Sequence, residues 1–245
     1  MRLPVIKVLV GAFVLVLERR HSLFERLWMP AGIGIFLSVY QHFAVTESSQ
    51  NFLQFGITVA VFLLTIILAV RSYNIFLDPA SENKVAPISW TRRESRFLVT
   101  MVIISFGFGF LTLLAGLIIG SFMLNRDNIG GPFFASLFFI PGAYLASRVL
   151  LAFPLISIRE ISIPDALRGA WGLSQNNVLG ILILCIGTPA ILAVLFAFSS
   201  NVQGLGVMSV VLPWVTMPLE FSVIALVFSQ LERHAGENGI NQISR

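Results

Sequence analysis

Apolar residues follow one another along most of the chain in long runs. Six runs are long enough for a helix to cross about 30 Å of hydrocarbon at about 1.5 Å per residue. The links within successive pairs are short and polar, "VTESSQN", "NRDNIGG" and "SNVQGLG". The pattern predicts an all-α polytopic membrane protein, a single integral membrane domain over 1–245 with six transmembrane helices in three hairpins. The spans are placed near residues 28–44, 52–70, 97–121, 132–157, 176–199 and 207–231.

Charge placement predicts the orientation of these helices. Only 11% of the residues are charged, against about 25% in an ordinary soluble domain. Of the sixteen Lys and Arg residues, Arg126 lies in a short hairpin link, Arg148 lies within a span, and the other fourteen lie on the opposite side from the short links. The positive-inside rule then places both termini and the long amphipathic links in the cytoplasm, with 232–245 as a cytoplasmic tail. Trp28, Trp90 and Trp171 fall near the same interface.

The N-terminal segment 1–27 contains a ten-residue apolar run, "VLVGAFVLVL", between Lys7 and the basic "ERR". This run is too short to span the bilayer, and no small-residue cleavage site follows it. We therefore predict either a helix that lies in the cytoplasmic interface or an elbow that enters the first span at Pro30. A short seventh span formed by residues 3–17 is the alternative.

Residues that could carry catalysis are sparse. His21, His42 and His234 lie on separate segments, so no metal site is expected. The sequence has neither a phosphate-binding glycine loop nor a Ser, His and acid combination, and its single Cys185 excludes an intrachain disulfide framework. We expect a protein that is not an enzyme and needs no cofactor. The net charge of +4 is explained by membrane topology, so no nucleic-acid partner is expected.

Two charged residues fall inside predicted spans. Arg148 lies 16 residues into the fourth span from Pro132, about 24 Å, and Glu220 lies 13 residues into the sixth span from Val207, about 20 Å. A lone arginine near mid-bilayer costs roughly 2.5–3.5 kcal/mol on insertion scales. We therefore predict that Arg148 and Glu220 form an intramembrane charge pair. The alternative for Arg148 is snorkelling to the cytoplasmic interface.

Small residues follow one face of the third span, which would let another helix approach closely, within the monomer or in an oligomer. This packing face consists of Ser105, Gly109, Thr112, Gly116 and Gly120. Prolines interrupt the later spans at positions 141, 154, 189, 213 and 218. Broken helices can expose backbone carbonyls to a substrate, as in many transporters, but they also occur in membrane helices without that role.

The segment "YLASRVLLAFPLISIREISIPDALRGAWGLSQNNVLGIL", residues 144–182, resembles a bacterial family of poorly characterised six-helix inner-membrane proteins. It is also similar to the membrane domain fused to some glycerophosphodiester phosphodiesterases. The resemblance rests on an arginine shortly before a proline, followed by a short link and an elbow motif. The elbow residues are Ala166, Ala170, Trp171, Asn176 and Asn177, where the family would have a Gly-Asn pair in place of Asn-Asn.

The resemblance implies a membrane protein without an established reaction, and since we expect no fused phosphodiesterase domain, we expect no hydrolase activity from it. We expect a non-catalytic multi-pass protein of the bacterial inner membrane that organises lipids or associates with a partner membrane complex. Phospholipids are the expected partners. The alternative function is a small permease for a lipid or a small solute.

Overall fold

The computed structural model describes residues 3–44, 51–78, 88–123, 141–159, 161–200 and 206–243. All regular secondary structure in these ranges is helical. The helices are α1 Val5–Glu18, α2 Arg20–Ala44, α3 Asn51–Leu77, α4 Arg92–Met123, α5 Pro141–Ile158, α6 Ile163–Ser174, α7, which comprises Val178–Ile181, Leu182–Gly187 and Thr188–Ser200, and α8 Gly206–Ile243.

Each of the six predicted spans coincides with a helix, since α2, α3, α4, α5, α7 and α8 cover them apart from the turn at residues 176 and 177 and the residues outside the described ranges. Within the described chain, three stretches are long and apolar enough to cross a membrane: Phe52–Leu77, Pro141–Ile158 and Val207–Gly236. A fourth is obtained if α6 and α7, which are bent by 107° at their junction, count as one broken span. The all-helical prediction is therefore confirmed, and the six crossings stay a prediction.

The predicted elbow is displaced from its expected position. The chain turns at Arg19, between α1 and α2, whereas Pro30 lies inside the continuous helix α2. The Arg19 amide donates to the Leu15 carbonyl at 3.0 Å, which closes the last turn of α1. Membrane helices tolerate an internal proline because neighbouring groups compensate for the lost hydrogen bond. The prediction of an elbow at Pro30 is therefore wrong. Most of the predicted tail, residues 232–243, simply continues α8.

Prolines distort α5 and α7 but not α8. A proline ring crowds the carbonyl four residues earlier and removes one backbone donor. In α5 the chain makes a turn at residues 150 and 151, just before Pro154. In α7 the segment Leu182–Gly187 is π-helical and ends two residues before Pro189. Helix α8 remains continuous through Pro213 and Pro218.

The core lies around α8, against which α1, α2, α3 and α7 pack. The buried part of α3 is its C-terminal half, including Ile66 and Tyr73, and the buried part of α8 includes Val223 and Phe228. The N-terminal half of α3 is mostly exposed and apolar, for example at Phe52. The interior therefore sits at the end of the helices where the predicted cytoplasmic links lie.

The contact between α2 and α8 depends on one glycine. The indole of Trp214 is buried over Gly34, and its Nε1 donates to Ser38 Oγ at 3.1 Å. A Cβ atom built on Gly34 would lie 2.1 Å from Cη2 of that ring. Only a residue without a side chain allows the ring to approach this closely.

Candidate functional site

Helix α6 is an amphipathic helix laid against α5. It begins at an N-cap, Ser162, whose Oγ accepts from the Asp165 amide at 3.3 Å. Ala166, Ala170 and Ser174 recur every four residues, so they share one face, and all three are buried. Gly169 also lies close to α5, because a Cβ there would be 3.3 Å from Leu155 Cδ1. The two alanines of the predicted elbow motif are therefore packing residues.

The guanidinium of Arg148, on α5, lies at the C-terminal end of α6. The side chain is 7% exposed. Its Nη1 donates to the Trp171 carbonyl at 3.1 Å and, more weakly, to Ser174 Oγ at 3.5 Å, while Nη2 donates to the Tyr144 hydroxyl at 2.8 Å. The guanidinium carbon also lies 4.8 Å from the centre of the Trp171 ring and 5.2 Å from that of Tyr144.

These contacts identify Arg148 as a side-chain cap for α6. The last four carbonyls of a helix have no partner within the helix, and Trp171 carries one of them. The negative end of the helix dipole also favours a cation at this position. Two aromatic faces add cation–π attraction. The buried arginine is thus compensated by a carbonyl, two hydroxyls and two rings.

The predicted charge pair between Arg148 and Glu220 is not found. The ion pairs within the described chain are Arg159–Glu232, Arg168–Asp165 and His21–Glu25, and none joins Arg148 to Glu220. Glu220 is half-buried on α8. Equal depth in two helices does not bring side chains together, because each must also face the other. In this fold α6 turns back against α5 and supplies partners for Arg148 instead.

The junction between α6 and α7 also holds the N-terminal segment. The Asn177 Oδ1 accepts from the Leu3 amide at 3.2 Å. Leu3 also lies against Gly180, where a Cβ would be 3.1 Å from the Leu3 Cβ. Asn176 is exposed beside it. One of the two predicted elbow asparagines therefore ties the start of the chain to the 107° bend.

Helix α1 is apolar on two faces. Its inner face packs on α8, where Val8 and Ala12 are fully buried and the Ser222 hydroxyl donates to the Ala12 carbonyl at 3.3 Å. Its outer face is exposed, with Ile6 as much as 77% accessible. We call this face the outer α1 stripe, and it comprises Ile6, Leu9, Val10, Phe13, Val14 and Leu17. The spacing of three and four residues places all six side chains along one side of the helix.

As far as the structure describes them, the other predicted site residues, those of the small-residue packing face on α4, are not among the contacts of Arg148 or of the bend between α6 and α7. Ser105 is exposed on α4. The burial and contacts of the other four residues lie outside the described part of the structure: Gly109, Thr112, Gly116 and Gly120. The small-residue packing face therefore stays a prediction. Within the described ranges, no group of three His, Cys, Asp or Glu side chains is arranged to hold a metal ion.

Sequence reasoning missed two partners of Arg148. Tyr144 lies four residues before Arg148, and Ser174 lies three residues after Trp171, so each belongs to the same helix face as its neighbour. That spacing was the available signal.

The chain matches no family model, no curated protein and no solved structure.

Proposed function

We propose that this protein is a non-catalytic multi-pass protein of a bacterial inner membrane, and that it organises phospholipids on the cytoplasmic side. The resemblance to the family of six-helix inner-membrane proteins supports the location. The contacts of Arg148 agree with a structural role, because its guanidinium joins the Tyr144 hydroxyl on α5 to Trp171 and Ser174 at the end of α6, just before the bend to α7. In this proposal both termini are cytoplasmic.

The observation that carries the proposal is the outer α1 stripe. Its inner neighbours pack on the same part of α8 that forms the core, so α1 is a fixed element of the fold. A helix of 14 residues is about 21 Å long, which is too short to cross the hydrocarbon. An exposed apolar face on such a helix is best accommodated by acyl chains, with the helix lying in the membrane plane. Lys7 and Arg20 are exposed near its two ends and can reach headgroups.

A second function, a small permease for a lipid or solute, is favoured by the distorted helices. The π-helical segment Leu182–Gly187 changes the backbone hydrogen bonding of α7 within an apolar run. Such segments recur at functional sites in helical proteins. The turn in α5 before Pro154 is a second interruption. Both would supply backbone carbonyls to a passing solute if they faced a cavity.

Lipid analysis and reconstitution separate these two functions. The protein is purified in a mild detergent, and its bound lipids are compared by mass spectrometry with those of the membrane extract. We expect selective enrichment of particular phospholipids, and reconstituted liposomes with no solute flux or lipid scrambling above that of empty liposomes. The double substitution Val10→Asn and Phe13→Asn should reduce the enrichment because it makes the outer α1 stripe polar. Flux or scrambling that depends on the protein would favour the permease, and bound lipid of the same composition as the extract would contradict the proposal.

A further inference from the structure

A second buried arginine, Arg71, lies near the C-terminal end of α3. Its side chain is 5% exposed. Its Nη2 donates to the Ser89 carbonyl at 3.3 Å and to Ser89 Oγ at 3.1 Å. Its Nε is buried and has no hydrogen-bond partner. Two neutral oxygens of one serine are thus the partners of a guanidinium that has five N–H donors.

The charge of Arg71 is not balanced by a carboxylate at ion-pair distance in the described part of the chain. Glu94 is the acidic group whose charge reaches it. That carboxylate is 2% exposed and already accepts from the amide of Thr91, at 2.8 Å, and from the Thr91 hydroxyl. It forms the capping box at the start of α4. The other charged group acting on Arg71 is a cation, Arg26.

The comparison with Arg148 shows what Arg71 lacks. The Nε of Arg148 is likewise buried without a hydrogen-bond partner, but Arg148 has a helix C-terminal carbonyl, two hydroxyls and two aromatic faces around its charge. Within the described ranges, neither an aromatic face nor the C-terminal end of a helix lies against the Arg71 guanidinium. A buried charge without a counter-charge is costly, and an arginine left in this state is suited to an anion.

The surroundings of Arg71 favour a phosphate group. Arg71 lies six residues before the end of α3, about 9 Å along the helix axis. The N-terminal end of α4 begins directly after Ser89 to Thr91, and the Glu94 carboxylate already accepts from the Thr91 amide there, so a phosphate would rely on the arginines. Arg93 is held beside α3, because its Nη1 donates to Asn74 Oδ1 at 3.2 Å. Ile88 and Trp90 are exposed next to Ser89, and tryptophan is typical of the headgroup region.

We propose that Arg71, together with Arg93, binds a phosphate group at the cytoplasmic end of α3. Phosphate is bound well by arginine because its oxygens accept from several guanidinium N–H groups at once. A phospholipid headgroup and free inorganic phosphate present the same chemistry. The lipid source rests on the proposed function, whereas the anion site itself does not.

The test measures thermal unfolding of the full-length protein in dodecyl maltoside, a detergent whose headgroup has no phosphate. Three additives are compared in separate samples: phosphatidylglycerol, inorganic phosphate, and a glycolipid with matched acyl chains but no phosphate. Since a ligand of the folded state raises its stability, we expect phosphatidylglycerol to raise the unfolding midpoint by about 5 °C and the glycolipid to have little effect. Arg71→Met should lose most of that rise, and Arg71→Lys should lose about half, because lysine keeps the charge with fewer fixed donors.

The matched control is Arg168→Gln, which also removes one positive charge, but from a side chain that is 82% exposed. This variant should keep the full rise. The site would be overturned by a phosphatidylglycerol effect of equal size in all variants, by an effect lost equally in Arg168→Gln, or by no effect in the unchanged protein. If Arg71→Met does not fold, Arg71→Lys decides.

Inorganic phosphate distinguishes the two sources. An Arg71-dependent rise with inorganic phosphate alone would support the site with a soluble ligand, and would leave its lipid assignment without support. An Arg71-dependent rise with phosphatidylglycerol alone would support the headgroup. The effect of the α1 double variant on enrichment and the flux measurement can fail without affecting either result, because they depend on α1 and on transport.

Discussion

Replacing Gly34 with alanine is expected to destabilise the folded protein by about 2–3 kcal/mol, since inserting a methyl group into a packed contact typically costs 1–3 kcal/mol. The new Cβ would lie 2.1, 2.4 and 2.5 Å from three carbons of the Trp214 ring. The ring must therefore move, and with it the hydrogen bond from its Nε1 to Ser38 Oγ. The measurement is the free energy of unfolding in mixed detergent micelles, followed by helix content.

Gly32→Ala is the matched control for this substitution. Gly32 lies on the same helix, α2, and a Cβ built there meets nothing within 4 Å. Alanine has the better helix propensity by roughly 0.5–1 kcal/mol, so this variant should be unchanged or slightly more stable. Equal stability of the Gly34 and Gly32 variants would show that Trp214 does not pack on Gly34 as described.

Arg148→Ala is expected to destabilise the protein by about 3 kcal/mol. The change removes three hydrogen bonds from a charged group, one of them long at 3.5 Å, and two cation–π contacts, and the relief of a buried charge offsets part of that loss. It should also free the end of α6, since the Trp171 carbonyl then keeps only the Ser174 hydroxyl, at 3.0 Å. Spin labels on the exposed positions Arg168 and Leu179 would report a broader distance distribution across the bend.

Glu220 supplies the control for Arg148. Because the two side chains form no ion pair, Glu220→Gln should change the stability by much less than Arg148→Ala does. The exchange of both charges, Arg148→Glu with Glu220→Arg, should be no more stable than Arg148→Glu alone. Recovery of folded protein in the double variant would contradict the capping role and restore the charge pair.

The positions of the helices follow from the sequence because they depend on local properties. Apolar run length and polar links predict α2, α3, α4, α5, α7 and α8 with ends displaced by several residues, whereas the link that contains α6 is predicted only to be amphipathic. The elbow was predicted at the wrong residue because Pro30 was treated as a helix breaker. The surrounding apolar run keeps α2 continuous through Pro30.

The partners of the buried side chains could not be predicted in the same way. Depth along a helix can be counted from a sequence, but the direction in which Arg148 and Glu220 face depends on how the helices pack. The close approach of Trp214 to Gly34 joins positions 180 residues apart in the chain, and no periodicity links them. The contact of Leu3 with Asn177 is likewise a product of the 107° bend.

We expect the outer α1 stripe to lie among the acyl chains of one leaflet. The direct measurement is fluorescence quenching in liposomes of a bimane label at Val10→Cys, in a Cys185→Ala background that removes the native thiol. Glu18→Cys, at the exposed polar end of α1, is the reference position. Brominated acyl chains should quench the label at position 10 more strongly than aqueous iodide does, and position 18 should show the reverse. Quenching of position 10 mainly by iodide would place the stripe in water and contradict the account.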